Sequence, residues 1–183
     1  MLDFIILGML MDSTMSGYDL KKTIDSSIGT IYKASYGSLY PALKKLTEKG
    51  MVSLTETDSS KNKKLYSLVP TGRQAFLDWL SGPLQGPRNE QLIRIFFFDY
   101  LDEETRQRRF NEYLFKLEQE IQTLETVKNI VDGELAGIPQ PENYYYRVSV
   151  LGYGLKHYQM EKQWITDIQE RKNLNHVNPS PEI

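Results

Sequence analysis

The sequence predicts a mainly α-helical protein with a small β-wing. An N-terminal winged helix-turn-helix is followed by a C-terminal domain of long antiparallel helices. Two short helices, a two-stranded ribbon with a lysine-rich tip and a further helix succeed one another between residues 16 and 74. From residue 102 onward, apolar residues recur in steps of four and three, as in long paired helices. Glycines and prolines in residues 81–87 separate the two parts.

Composition and length exclude several classes of protein. A chain of 183 residues holds one medium domain or two small ones, and its two Trp, twelve Tyr and seven Phe supply aromatic area for a core. The absence of cysteine excludes disulfides, thiol nucleophiles and cysteine-based metal sites. Neither an apolar run of about 18 residues nor a basic leader segment is present, so we expect no membrane span, no secretory signal and a cytoplasmic location.

Charge is unevenly distributed along the chain. Residues 1–82 carry ten Lys and Arg against eight Asp and Glu, a net +2, whereas residues 83–183 carry twelve against sixteen, a net −4. Between Lys21 and Arg73 the balance is ten against four, a net +6. Because phosphate attraction acts within a Debye length of roughly 8 Å at physiological salt, this local excess favours a nucleic acid as the partner.

The first domain is expected to span residues 1–82. Its apolar stretch 4–11 predicts a buried first helix. Ser16 with Asp19 is a capping box that predicts the start of the second helix, and Thr71 with Gln74 predicts the start of the last.

The helix over residues 36–46 is the predicted reading helix, the one that enters the major groove. One face, which docks the helix, carries Leu39, Leu43 and Leu46. Pro41 lacks an amide hydrogen and belongs in a first turn, so Ser38 is the expected N-cap, with Ser35 as the alternative. The outward amides of residues 38–40 would then form a phosphate site.

Strands over residues 51–56 and 64–69 form the predicted wing. Alternation directs Val52, Leu54 and Leu65 towards the core. The tip carries Lys61 and Lys63, with Lys64 at its base. A basic hairpin tip can be ordinary solvated surface, but beside a reading helix it favours DNA contact.

Residues 88–172 form the predicted helical domain, followed by a flexible tail over residues 173–183. Asp102, followed by two glutamates, is a strong helix start. A heptad seam follows, and glycines and prolines over residues 133–141 force a reversal. The return helix repeats the pattern at Tyr144, Val148, Leu151, Leu155 and Tyr158.

The first long helix, roughly 45–50 Å at 1.5 Å per residue, is too long for so small a domain to cover. It therefore predicts a homodimer with coiled-coil packing. The alternative is a monomeric helical hairpin with the apolar residues 95–98 as its floor. The expected dimerisation residues are Phe110, Leu114, Leu117, Ile121, Leu124, Leu151 and Leu155.

Taken in order, these motifs resemble the PadR-type, phenolic-acid-responsive transcriptional regulators. The similarity is strong over residues 2–80 and looser over residues 88–172, where Gly152 and Trp164 fall in the last helix. The matching runs are Leu7-Gly8, Gly17-Tyr18-Asp19-Leu20, Gly37-Ser38-Leu39-Tyr40-Pro41-Ala42-Leu43, Glu48-Lys49-Gly50-Met51-Val52, Tyr66-Ser67-Leu68 and Thr71-Gly72-Arg73.

The resemblance implies a dimeric DNA-binding protein, and such a dimer is expected to prefer an inverted-repeat operator. Some members of the family bind phenolic acids or flat aromatic compounds. The family often carries a Gly-Arg-Pro-Arg-like wing, whereas the wing here has lysines only. This departure favours phosphate contact over insertion into the minor groove.

DNA contacts are expected from tyrosine hydroxyls, lysine ammonium groups and the backbone at the start of the reading helix. The residues are Tyr18, Tyr36, Gly37, Ser38, Tyr40, Lys44, Lys45, Lys61, Lys63 and Lys64. The resemblance supports Tyr40 and suggests a phosphate contact for Tyr18. Under the alternative, Tyr40 packs on Tyr18 and the lysines form a solvated face.

Aromatic residues supply candidates for an effector pocket between the domains, with the aromatic core and dimer interface as the alternative. The candidates are Trp79, Tyr153, Tyr158 and Trp164. His157 and Glu161 stand one helical turn apart without a further ligand that would complete a metal site. Phosphate loops, nucleophile elbows and zinc-protease motifs are absent, so neither an enzyme nor a cofactor is expected.

Two hypotheses for the function follow. The first is a sequence-specific DNA-binding transcriptional regulator, a repressor that a small aromatic or phenolic effector releases from its operator. The alternative is a helical protein–protein adaptor whose winged helix no longer binds DNA. A steep salt dependence of binding to duplex DNA separates the two hypotheses.

Overall fold

The computed structural model describes residues 1–56 and 64–172. Contacts divide the chain into two compact units, unit 1 from Met1 to Arg106 and unit 2 from Gln107 onward. The domain limits expected from the sequence, 1–82 and 88–172, follow breaker residues rather than contacts and stay a prediction. The expected flexible tail lies outside the described residues.

The prediction of a mainly α-helical chain with a small β-sheet is confirmed. Unit 1 contains α1 (Leu2–Met9), β1 (Met15–Ser16), α2 (Gly17–Ser27), α3 (Tyr36–Glu48), β2 (Val52–Glu56), β3 (Lys64–Leu68), α4 (Pro70–Leu80) and α5 (Arg88–Phe96). Two long helices, α6 (Glu103–Leu135) and α7 (Tyr145–Gln169), follow, and α6 begins at the end of unit 1. None of the helices in the described ranges is long and apolar enough to cross a membrane.

Within the described residues the sheet has three antiparallel strands in the order β1-β3-β2, so β3 is central. The sequence predicted two strands. Strand β1 was missed because two residues are too short to show an alternating pattern, and only the pairing of Met15 with Tyr66 reveals it.

Helix α1 forms the centre of the unit 1 core. Ile5, Ile6 and Leu7 are fully or almost fully buried, as the apolar stretch predicts. A Cβ atom on Gly8 would lie 2.6 Å from Phe97 and 2.8 Å from Phe76, so α1 packs closely because this position has no side chain. The same core contains Leu20, Ile24, Leu39, Leu43, Leu46, Phe76, Leu80 and Ile93.

The helix caps agree with the sequence only in part. The Ser16 hydroxyl accepts a hydrogen bond from the Asp19 amide at 3.2 Å, which confirms the predicted cap of α2. The cap predicted from Thr71 is wrong, because α4 begins at Pro70 after Val69, without a side-chain cap. Proline at the first helical position fixes φ and needs no amide partner, so the helix starts there.

Two of the three residues expected to point from the wing into the core are placed differently. Val52 is buried, but Leu54 is 38% exposed because β2, one strand of the wing, lies at the edge of the sheet. On β3 the buried residue is Tyr66, and Leu65 is only half-buried. A shift of one residue in the alternation reverses the face of every side chain on a strand.

Unit 2 is an antiparallel helical hairpin. Helix α6 begins where expected, since Asp102 Oδ1 accepts a hydrogen bond from the Thr105 amide at 2.7 Å. The Lys162 ammonium lies 2.9 Å from the Glu118 carboxylate. The Tyr113 hydroxyl donates to Glu161 Oε1 at 2.8 Å, and both of these side chains are buried.

Candidate nucleic-acid interface

The N-terminus of α3 is built by a reciprocal capping box. The Ser35 hydroxyl accepts a hydrogen bond from the Ser38 amide at 3.1 Å, and the Ser38 hydroxyl accepts one from the Ser35 amide at 3.1 Å. The preference for Ser38 as the N-cap is therefore wrong, and the alternative, Ser35, is correct. The first amides of a helix have no partner within it, so the outward amides are those of Tyr36 and Gly37.

Pro41 consequently lies inside α3, at its sixth position. It cannot donate to the carbonyl of Gly37, one turn earlier. Gly37 is exposed, so water can satisfy this carbonyl, and α3 continues unbroken to Glu48. Leu39 and Leu43 are completely buried, as predicted, and the opposite face of the helix is outward.

An exposed aromatic cluster lies at the start of α3. The rings of Tyr36 and Tyr40 stack with their centroids 6.1 Å apart, and the Lys21 ammonium lies 5.7 Å from the centre of the Tyr36 ring. Tyr18, Tyr36 and Tyr40 are each between 46% and 62% exposed. The ring partner of Tyr40 is thus Tyr36, whereas the alternative interpretation placed it on Tyr18.

The interface lysines of the described ranges are exposed and each lies near a carboxylate. Lys44 lies 3.8 Å from Glu48 and Lys64 lies 3.5 Å from Glu56. Lys45 lies 2.7 Å from Asp3 of α1, at the side of the reading helix. Exposed ion pairs contribute only about 0–1 kcal/mol, so a DNA phosphate can replace the carboxylate partners at small cost.

The base of the wing lies next to the reading helix. Burial raises the pKa of the Tyr66 phenol on β3, while Lys64 lowers it and Tyr40 raises it further. Tyr66 is therefore neutral at physiological pH, and it lies within electrostatic range of Tyr40. Two predicted contacts, Lys61 and Lys63, lie outside the described residues.

Comparison with known proteins identifies both parts of the chain. The profile of the "Transcriptional regulator PadR-like family" matches residues 6–78, and that of the "Virulence activator alpha C-term" matches residues 87–171. The Bacillus subtilis "Negative transcriptional regulator PadR" is 29% identical over 129 residues, which cover 68% of this chain and 71% of that protein. Residues 6–78 form a PadR-like transcriptional regulator domain. The chain is a DNA-binding protein and not an enzyme.

One further relative and one solved structure are also similar to this chain. The Mycobacterium tuberculosis "Probable transcriptional regulator Rv1176c" is 29% identical over 85 residues, 45% of each chain. A crystal structure of Bacillus subtilis PadR in complex with operator DNA is 24% identical, with a TM-score of 0.45, and the similarity covers 93% of this chain and 98% of that one.

The residues expected to form the dimer interface lie on the inner side of the helical hairpin. Phe110 and Leu117 are buried within the chain, whereas Leu114, Ile121, Leu124, Leu151 and Leu155 are half-buried. A Cβ atom on Gly154 of α7 would lie 3.4 Å from Leu124, so this seam packs at least partly against the same chain. The dimerisation residues stay a prediction.

An outer stripe on α7, which the sequence did not predict as an interface, is formed by Tyr146, Val150, Tyr153 and Met160. These four side chains are between 54% and 82% exposed. Their steps of four, three and seven residues put them on one face of the helix. The inner seam of the hairpin has the same periodicity, so the sequence pattern alone does not distinguish the outer stripe from it.

The four candidate effector residues do not share one environment. Trp79, in unit 1, stacks on Phe4 with centroids 4.7 Å apart and has the Arg94 guanidinium 4.7 Å from its ring centre. It helps to line a cavity of about 480 Å³. On α7, Tyr153 is exposed and stacks on His157, and Tyr158 and Trp164 are half-buried.

Proposed function

We propose that this PadR-type regulator binds operator DNA in a sequence-specific way through α3 and the β2–β3 wing. By covering promoter DNA, it represses transcription in the cytoplasm. The observation that carries the proposal is the exposed face of α3, which presents Tyr36, Tyr40 and Lys44 beside a capped N-terminus. The similarity to a relative named as a negative regulator favours repression over activation.

Affinity and specificity come from different parts of this surface. Lys44, Lys45 and Lys64 supply phosphate contacts, which release counterions and bind all sequences alike. The amides of Tyr36 and Gly37 hold a further phosphate at the helix N-terminus. The tyrosine cluster lies where a helix in the major groove meets base edges and sugars, so it carries sequence preference.

The regulator acts as a homodimer on an inverted repeat. The exposed outer stripe of α7 supports this proposal, because apolar side chains in a coiled-coil pattern need a partner helix. A twofold dimer presents two reading helices about 34 Å apart, or a multiple of this distance, and so matches two half-sites.

Release by a small aromatic effector completes the proposal. The stacked pair of Phe4 and Trp79 and their 480 Å³ cavity support an aromatic ligand, since offset or stacked rings add about 0.5–1.5 kcal/mol beyond area burial. A hundredfold loss of DNA affinity requires about 2.7 kcal/mol of differential binding between the bound and released states. Titration with phenolic acids should therefore quench tryptophan fluorescence and dissociate DNA in parallel.

The decisive experiment is a pull-down of genomic fragments followed by sequencing and a salt titration of the recovered duplex. The expected result is a short inverted repeat whose binding weakens steeply with salt, with a slope of about 0.9 for each phosphate that the protein neutralises. Failure to retain any duplex at low salt would favour the alternative, a helical adaptor, and exclude the proposed function.

A further inference from the structure

The side chain of Tyr40 lies against the first turn of α2 at Gly17, a residue not assigned to the interface from the sequence. A Cβ atom on Gly17 would lie 2.7 Å from Cε1 of Tyr40 and 3.1 Å from its hydroxyl oxygen. Carbon atoms in van der Waals contact are about 3.5–4.0 Å apart. A methyl group at residue 17 and the phenol ring in its present position therefore exclude one another.

The backbone at Gly17 does not itself require glycine. Gly17 is the first residue of α2, directly after its cap Ser16. Among the described glycines, a positive φ is found at Gly50 and Gly86 but not at Gly17. Alanine is also the better helix former. The missing side chain at this position therefore serves the contact with Tyr40.

Two neighbours restrict the Tyr40 ring. Gly17 lies against the ring, and Tyr36 stacks on it with the ring centroids 6.1 Å apart. Nearly half of the Tyr40 side chain nevertheless remains exposed, with 47% of its surface accessible. A side chain held in one orientation before binding loses less rotamer freedom when it binds.

We propose that Gly17 is a positioning residue for DNA binding. Because it has no side chain, the Tyr40 ring can lie against α2, and this contact sets the direction in which the Tyr40 hydroxyl meets DNA. The inference rests on the proposed function, since it assigns Gly17 a role in the interface that α3 forms.

A double-mutant cycle tests the proposal with wild type, Gly17→Ala, Tyr40→Ala and the double variant. The probe is the fluorescein-labelled duplex recovered from genomic fragments, and the readout is its dissociation constant by anisotropy. Gly17→Ala should weaken binding about tenfold in the wild-type background and less than about twofold when Tyr40 is already alanine. Equal decreases in both backgrounds would overturn the proposal, because a residue that acts through Tyr40 has no effect without it.

The thermal unfolding midpoint provides a readout that does not need DNA. Gly17→Ala should lower the midpoint, and adding Tyr40→Ala should recover part of the decrease, since the overlapping ring is then gone. If Gly17→Ala alone fails to fold, recovery of the fold in the double variant supports the proposal, and its absence overturns it. Gly133→Ala is the matched control, because a Cβ atom there has no neighbour within 4 Å.

The cycle also separates this inference from the proposed function. A wild-type protein that binds no duplex refutes both. A wild-type protein that binds the duplex with normal salt dependence, combined with a Gly17→Ala variant of unchanged affinity, refutes the role of Gly17 alone.

Discussion

Tyr40 connects three parts of unit 1, because it lies on α3, contacts Gly17 of α2 and is within electrostatic range of Tyr66 on β3. Its ring lies against α2, while 47% of the side chain remains exposed. The ring and the hydroxyl have separate proposed roles, the ring in packing and the hydroxyl in DNA contact. Substitutions can test them separately.

Tyr40→Phe removes the hydroxyl and keeps the ring contacts. We expect DNA affinity to fall about fivefold, equivalent to about 1 kcal/mol for one hydrogen bond, with little change in the unfolding midpoint. Anisotropy titration and thermal unfolding measure the two effects. The control Tyr145→Phe, at an exposed position of α7 outside the outer stripe, should leave both unchanged. Unchanged affinity of Tyr40→Phe would remove this hydroxyl from the interface.

Tyr100 should make the folded state less stable at alkaline pH. Burial and, to a smaller degree, a hydrogen bond with Asp12 raise the pKa of its phenol. The folded state therefore holds this proton more tightly than the unfolded state does. The resulting stabilisation is complete below about pH 10, where an ordinary tyrosine ionises, and is lost as pH rises above it.

The free energy of unfolding should accordingly fall as pH rises above about 10 in the wild type, and fall less in Tyr100→Phe. Urea unfolding at each pH measures this difference. A comparison at pH 8 gives the cost of removing the Asp12 hydrogen bond, which is independent of ionisation. Parallel curves for the two proteins would show that Tyr100 is not responsible.

At the scale of elements, the long helices and the buried face of α3 could be predicted from periodicity because burial repeats along the chain. The start of α3 could not. Ser35 and Ser38 are both good caps, and Pro41 favours a late start, so local preferences conflict. The reciprocal hydrogen bonds between the two serines, visible only in three dimensions, decide in favour of Ser35.

The candidate site was likewise predictable only in part. Its tyrosines and lysines are exposed, as their chemistry suggests, but Gly17 has no side chain that could signal a role. Leu54 shows the opposite error, since its apolar side chain predicts burial that an edge strand does not provide. Both errors concern long-range neighbours that a one-dimensional pattern does not contain.

The capping assignment gives a matched pair of variants. Ser35→Ala removes a cap and should lower the free energy of unfolding by about 1 kcal/mol. Thr71→Ala changes a residue inside α4 that does not cap it, and it should stay within about 0.5 kcal/mol of the wild type. Urea unfolding compares the two variants. A larger loss of unfolding free energy in Thr71→Ala than in Ser35→Ala would instead support the helix caps expected from the sequence.

The wing is tested as an element by replacing its lysines. The double change Lys63→Ala and Lys64→Ala should weaken binding to all sequences alike. It should also flatten the plot of log affinity against log salt by about 0.9 for each phosphate that the variant no longer neutralises. Binding of specific and random duplexes at several salt concentrations gives the slopes. An unchanged slope would exclude the wing as a phosphate clamp.

At the scale of the whole molecule, the outer stripe of α7 predicts how two chains associate. Val150→Glu together with Tyr153→Glu places two carboxylates on this stripe, where burial against a partner would be costly. Light scattering at micromolar concentration should show a dimer for the wild type and a monomer for this variant. The control Gln85→Glu adds a carboxylate at an exposed position of unit 1 and should remain dimeric. A monomeric wild type would contradict the homodimer.

The hydrogen bond between Tyr113 and Glu161 determines what kind of motion the hairpin can transmit. If α7 slid along α6 by one helical turn, about 5.4 Å, the buried Glu161 carboxylate would lose the phenol that satisfies it. His157, one turn away on α7 and 3.6 Å from Glu161, would move with it and remain close, but the phenol donor on α6 would be lost. Losing a buried hydrogen bond costs about 1–3 kcal/mol. Sliding of α7 along α6 is therefore disfavoured relative to tilting or rotation of the two helices as a pair.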